Sequence, residues 1–238
     1  MSGRSFAFLG ADEFEEWHAP IDRWLLERSE GDGTVLIVPT AAAPEGDEVF
    51  RSWADKGLAH YARTGVPAEV LELRTREDAL REDLAKRVAA ASMVFFSGGN
   101  PGYLSSVLAG TSLWEVLTGR LDSGLAYAGC SAGVACLIDP TYDSDTDDFE
   151  KVWVPGLRFF ADVVFAPHWD IVDGWIPGAR AFITKSAGDR TLVGIDEGTA
   201  MYGDGVSWSV SGRGGVHVHR GGAWEDLGDG ERFDLALT

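Results

Sequence analysis

The sequence predicts an α/β fold, with a mostly parallel sheet, helices on both faces and a β-hairpin near the C-terminus. Two observations carry that expectation. Short apolar runs alternate with longer segments of helical period, the pattern of a parallel sheet covered on both sides. From Thr199 onward the pattern changes to alternation, as in Val206-Ser207-Trp208-Ser209-Val210, which marks half-buried strands.

The elements follow in order. Ser5–Leu9 (SFAFL) opens as a strand. Residues 13–28 read as a helix with Phe14, Trp17, Ile21, Trp24 and Leu25 on one face. Residues 34–39 are a second strand, 45–63 a second helix, 68–73 a third strand and 77–91 a third helix. Met93–Phe96 (MVFF) ends at Ser97-Gly98-Gly99-Asn100 and leads into short helices at Pro101–Leu108 and 113–120. Residues 125–128 (LAYA) end at Gly129-Cys130-Ser131-Ala132-Gly133, and a helix runs on to about Ile138. Residues 139–160 are a long acidic loop. Residues 163–166 (VVFA) end at Pro167-His168, a helix covers 176–186, and residues 192–195 (LVGI) end at Asp196-Glu197. Residues 206–210 and 216–219 pair across a glycine-rich turn as the terminal hairpin. No linker, repeat or low-complexity tract interrupts the chain, so residues 1–238 read as one domain.

Composition narrows the function. With 238 residues, 45% hydrophobic and 24% charged, the chain is ordinary globular protein. A net charge of −18 repels phosphate backbones and argues against nucleic-acid binding. No apolar run reaches the roughly 18 residues of a membrane span, and the N-terminus turns acidic without the apolar core of a signal peptide. Cys130 and Cys136 sit on one elbow and helix, where a disulfide is geometrically disfavoured. A reducing, cytoplasmic setting follows. Nothing suggests a metal or organic cofactor. The expected partner is a small peptide substrate, and a homodimer is compatible with the composition.

Gly129-Cys130-Ser131-Ala132-Gly133 has the G-x-S-x-G form of a serine elbow, placed between an apolar run and a helical one. Were Cys130 the nucleophile, glycine would stand at 128 and 132, and both are alanine. Gly99, at the end of the preceding strand, is placed to present a second oxyanion donor beside the Ala132 amide. Asn100 reads both as the N-cap of the helix that starts at Pro101 and as a candidate substrate contact.

Of the five histidines, His18 and His60 lie in the first two helices, far in topology from the elbow. His217 and His219 alternate in the terminal hairpin and read as a solvated strand face rather than a metal site. His168 alone ends a core strand, which makes it the candidate base. Glu197 is the candidate acid, with Asp196 and Asp170 as local rivals. Adjacent strand residues point oppositely, so Asp196 and Glu197 do not both face His168 easily. Asp145 or Asp147 of the acidic loop can also reach in. That loop, 143–150, imitates the opening of a calcium site, but Asp148 stands where glycine is needed and Val154 where a bidentate Glu is needed. It reads as solvated.

Gly98-Gly99-Asn100, the G-x-S-A-G elbow, Pro167-His168-Trp169 and Gly194-Ile195-Asp196-Glu197-Gly198-Thr199-Ala200 occur in that order. Together they resemble the dipeptidase E and cyanophycinase family of serine peptidases, whose fold is that of the class I glutamine amidotransferases. The resemblance runs from about residue 5 to about residue 220. It implies Ser131 as nucleophile, His168 as base, and Gly99 and Ala132 as oxyanion donors. Glu197 matches the acid of cyanophycinase-like members, whereas dipeptidase E takes an Asp from the loop holding Asp145 and Asp147. Cyanophycinases carry Gln before the His and an Arg-rich stretch after it. Here Pro167 precedes, and Arg180 is the downstream cation, near where dipeptidase E holds its substrate's Asp side chain. Three functions are therefore in view: hydrolysis of short peptides, an esterase or amidase on a non-peptide substrate, and a silent binding member of the fold.

Overall fold

The computed structural model describes residues 3–146 and 151–237. Its elements run β1 (Ser5–Leu9), α1 (Ala19–Leu26), β2 (Val35–Val38), α2 (Asp47–Thr64), β3 (Ala68–Val70), α3 (Glu82–Ala90) and β4 (Met93–Phe96). They continue with α4 (Pro101–Leu108), α5 (Ser112–Leu121), β5 (Ala126–Cys130), α6 (Ala132–Ala135), β6 (Thr141–Tyr142), β7 (Trp153–Val154) and β8 (Val163–Pro167). The last are α7 (Val172–Trp175), α8 (Ala179–Ala187), β9 (Thr191–Ile195), β10 (Thr199–Gly203), β11 (Ser207–Gly212), β12 (Val216–Arg220), β13 (Ala223–Leu227) and β14 (Arg232–Asp234).

The central sheet is 8-stranded, in the order β14-β11-β10-β1-β5-β4-β2-β3. From β1 to β3 its neighbours are parallel, and β10, β11 and β14 continue it antiparallel. Period-two alternation sorts the side chains to two cores. Ala7, Leu9, Met93 and Phe95 face α1 and α2, where Ile21, Leu25 and Tyr61 are buried. Phe6, Phe8, Val94 and Phe96 face the opposite core with Leu84, Leu104, Leu117 and Val134 of α3, α4, α5 and α6.

A second, 4-stranded sheet, β13-β12-β9-β8, packs on that same core. Only β8 and β9 are parallel within it. Phe8 is the hinge between the sheets, with its ring 5.0 Å from Phe165 of β8 and 5.4 Å from Trp208 of β11.

Two expectations change. Hairpins do form near the C-terminus, but they join β10 to β11 and β12 to β13, and β14 then returns to pair with β11. Residues 206–210 and 216–219 do not pair with each other. β11 joins β10 in the large sheet, and β12 joins β9 in the small one. The acidic loop also carries structure, since β6 and β7 pair across it.

Phe8 is fully buried, so Phe8→Ala should lower stability by about 3–5 kcal/mol, the range for such truncations. Urea unfolding checks this. A loss under about 1 kcal/mol would mean the two sheets are held by other contacts.

Candidate active site

Ser131 stands between β5 and α6 with φ 50° and ψ −108°, a region that a residue with a Cβ rarely occupies. The turn is pinned on both sides. The Ser131 amide donates to the Leu9 carbonyl at 3.0 Å, and its carbonyl accepts from the Val134 and Ala135 amides at 2.9 and 3.0 Å. The flanking glycines are a steric requirement. A Cβ on Gly129 would lie 2.4 Å from the Gly133 oxygen, and one on Gly133 would lie 2.4 Å from the Phe96 oxygen.

His168 follows β8 with φ 56°. Its Nε2 lies 2.9 Å from Ser131 Oγ, and its Nδ1 lies 2.8 Å from Glu197 Oε1. The rival acids are engaged elsewhere. Asp196 turns to the other side of β9, where both of its oxygens are 3.1 Å from His217 Nε2. Asp170 Oδ1 accepts the Glu197 amide at 3.0 Å. Asp145 Oδ2 accepts from Asn100 Nδ2 at 2.8 Å. Asp147 lies outside the described residues.

Gly98 and Gly99 pass beside the serine. At Gly99 φ is 135°, and a Cβ would meet the Ala41 carbonyl at 2.4 Å. The Gly98 amide donates to Glu13 Oε1 at 2.9 Å, so it is occupied. That leaves the Gly99 amide and the amide of Ala132, which as the first residue of α6 has no acceptor within the helix.

Glu13 is a site residue that sequence reasoning missed. It is buried, and its second oxygen accepts from the Cys130 thiol at 3.0 Å. The expected helix from residue 13 starts later because Asp12 and Phe14 take φ of 60° and 66°. The available signal was topological, since an acid just past the end of a central strand enters the same crevice as the elbow. Burial and the Glu13 carboxylate push the Cys130 thiol well above its ordinary value, which keeps it a neutral donor.

Two cavities open at Ser131 and His168. One, of about 550 Å³, is lined by Asp12, Glu13, Glu15, Trp53, Lys56 and Arg63 among others. The other, of about 470 Å³, is lined chiefly by aliphatic and aromatic side chains.

The profile of peptidase family S51 matches residues 8–210. The chain belongs to that family, a family of serine-type peptidases. The cyanophycinases of Trichormus variabilis and Nostoc sp. are each 29% identical to it over 194 residues, covering 77% of this chain and 62% of theirs. The cyanophycinase of Synechococcus elongatus is 29% identical over 201 residues, covering 81% of this chain and 60% of its own. The chain thus spans less than two thirds of the length of these relatives. Among solved structures, a peptidase from an acI-B1 Actinobacterium superposes with a TM-score of 0.88 at 29% identity, covering 98% of this chain and 97% of that one. A putative Peptidase E from Listeria monocytogenes EGD-e shares the fold, with a TM-score of 0.60 at 17% identity, covering 92% of this chain and 98% of that one.

In this S51 chain the two expected substrate contacts have partners within the protein. Asn100 is fully engaged: Oδ1 accepts the Tyr103 amide at 3.0 Å, and Nδ2 donates to Asp143 at 2.7 Å and to Asp145. It caps α4 and ties down the acidic loop. Arg180 donates through Nε to the Trp169 carbonyl and through Nη2 to the Asp170 carbonyl, each at 2.7 Å. It lines neither cavity at Ser131 and braces the backbone after His168.

The histidines outside the site are also placed. His217 sits between Asp196 and Asp226, with Nδ1 2.7 Å from the latter, rather than on a solvated face. His18, Asp22 and His60 form a buried cluster with ligand-like spacing. The Phe14 amide donates to His18 Nε2 at 2.6 Å, so in a neutral ring the proton is on Nδ1, 3.1 Å from Asp22 Oδ2. A metal-bound histidine donates from its other nitrogen, whereas this one accepts. The cluster is a hydrogen-bonded brace beneath the turn that presents Glu13. Burial would raise the Asp22 carboxyl, but His18 and His60 outweigh it and hold it low.

The Asp196–His217 pair carries a pH signature. Burial would raise Asp196, yet the bonds from His217 and the Gly215 amide hold it below the usual carboxylate range. The bond to Asp196, aided by Asp226, raises His217 above the ordinary imidazole value. A raised imidazole stabilises fully below the ordinary His value, and that is lost as pH climbs through the raised one. A lowered carboxyl stabilises fully above the ordinary Asp value, and that is lost as pH falls through the lowered one. The pair therefore contributes fully between about pH 4 and about pH 6.5. Urea melts of the parent chain and His217→Gln should differ most in that window and converge outside it. A difference constant with pH would show that the pair acts only through packing.

Proposed function

We propose that this S51 member hydrolyses amide bonds in short peptides, with Ser131 as nucleophile, His168 as general base and acid, and Glu197 as the orienting carboxylate. The observation that carries the reading is the unbroken series Ser131 Oγ, His168 Nε2, His168 Nδ1, Glu197 Oε1, with contacts of 2.9 and 2.8 Å. Such a series matches the requirement for an activated serine. Family membership supports the same chemistry.

Ser131 Oγ attacks the scissile carbonyl carbon while its proton passes to His168 Nε2. The carbonyl oxygen takes up the negative charge and is held by the Gly99 and Ala132 amides. Glu197 keeps the proton on Nδ1 and stabilises the imidazolium. His168 then gives its proton to the departing amine, leaving an ester on Ser131. Water, deprotonated by the same imidazole, attacks that ester and releases the acid product and free Ser131. We place this activity in the cytoplasm, a setting supported by the two free buried thiols, Cys130 and Cys136.

Ser131→Ala should abolish both labelling by a fluorophosphonate probe and turnover of a dipeptide library. Full turnover by that variant would remove the proposal, and a parent chain that never labels would support a silent binding role. Glu197→Gln should lower kcat by about 10²–10⁴, the scale of losing a triad acid. If Asp145→Asn or Asp147→Asn gives that loss and Glu197→Gln does not, the acid comes from the loop after the elbow.

A further inference from the structure

The two cavities at the serine differ in kind. The one holding Asp12, Glu13, Glu15, Lys56 and Arg63 carries charges of both signs. The other, of about 470 Å³, has a mouth formed by Gly99, Ser131 and His168. Its walls include Tyr142, Trp153, Val172, Ile176, Phe182 and Ile183. Trp153 and Phe182 stack with centroids 5.8 Å apart and planes 17° apart. Trp175 and Ile176, 59% and 42% exposed, also line it. Among the described lining residues no Lys, Arg or Glu occurs, and the one Asp is Asp143. Asp143 Oδ1 already accepts from Asn100 Nδ2 at 2.7 Å and from the Asp145 amide at 3.0 Å.

We infer that this cavity is a specificity pocket for an apolar side chain, aliphatic or aromatic, beside the scissile carbonyl. The inference rests on the hydrolase reading above. A carbonyl over Ser131 has its own substituents at the pocket mouth, so whatever fills the pocket is bonded next to the reacting carbon. An apolar group gains from leaving water there. A carboxylate would lose its hydration with no cation on the described walls to replace it. A guanidinium would find one acidic partner on the described walls, Asp143, whose Oδ1 already holds two bonds, and would lose the rest of its hydration to apolar side chains. The volume suits a large ring, lying within the usual range of ligand pockets.

The test takes the intact chain and a dipeptide set in which Phe, Leu, Asp and Arg stand in turn at each position. The expected result is a kcat/KM for Phe or Leu at one position at least about tenfold above that for Asp or Arg. A second measurement decides the matter even where no dipeptide is cleaved. Phenethyl-, carboxyethyl- and guanidinopropyl-boronic acids compete with the fluorophosphonate for Ser131, and the phenethyl compound should compete best by about tenfold or more. Ile176→Asp, a change at an exposed pocket residue, should shrink the phenethyl-over-carboxyethyl ratio by about tenfold. Labelling of Ser131 with equal or better competition by the carboxyl or guanidino compound would overturn the inference and leave the hydrolase reading standing. Absence of labelling and of turnover together would overturn both.

Discussion

Ser131 holds a Cβ-bearing residue at φ 50° and ψ −108°, a conformation that costs on the order of 1–3 kcal/mol and persists only where the surroundings over-determine it. Those surroundings are the two strands that flank β5. From β1 comes the Leu9 carbonyl that receives the Ser131 amide. From β4 comes the Phe96 carbonyl that closes on Gly133. The same two strands then run on into Glu13 and into Gly98-Gly99. The order β1-β5-β4 is therefore what allows one strained turn to be both held and surrounded by donors and acceptors.

His168 and Glu197 arrive from a different sheet. β8 and β9 are parallel neighbours, so His168 and Glu197 leave the same end of the small sheet. Which acid faces the ring is decided by strand parity and then locked from outside. His217 and Gly215 hold Asp196 on the far side, and Asp170 receives the Glu197 amide. Arg180 in turn fixes the carbonyls of Trp169 and Asp170. The cation expected at the substrate thus stiffens the segment that carries His168. The packing of Phe8 against Phe165 then sets the two sheets relative to each other, and with them the distance from His168 to Ser131.

Much of this was legible because it is written locally. Ser5–Leu9 and Met93–Phe96 are apolar on both faces because both faces are buried, and runs of that kind are read without knowledge of partners. The elbow was legible because its glycines answer a steric demand within five residues. What failed was partner choice. Alternation in Val206-Ser207-Trp208-Ser209-Val210 and in Val216-His217-Val218-His219 identifies strands but not neighbours, and the chain parts between them to enter two sheets. Asn100 and Arg180 pose the same difficulty. Each is a versatile donor, and the sequence does not say that a loop acid or a backbone carbonyl lies nearer than the substrate.

Glu13 ties these threads together. A carboxylate buried next to the serine on a chain of net charge −18 is a costly choice unless its oxygens are filled. They are filled by the Gly98 amide and the Cys130 thiol, one from each strand end beside it. By occupying Gly98, Glu13 fixes that peptide next to Gly99, which lines the cavity at Ser131. Its own position depends on Phe14, whose amide is held by His18, which stands against Asp22 and through it His60. A contact chain thus runs from the packing of α1 on α2, through a buried His–Asp cluster and one carboxylate, to the loop beside the serine. The helices on the face of the sheet opposite α6 are in this way part of what shapes the site, and Trp53, Lys56 and Arg63 of α2 line the cavity at Ser131 directly.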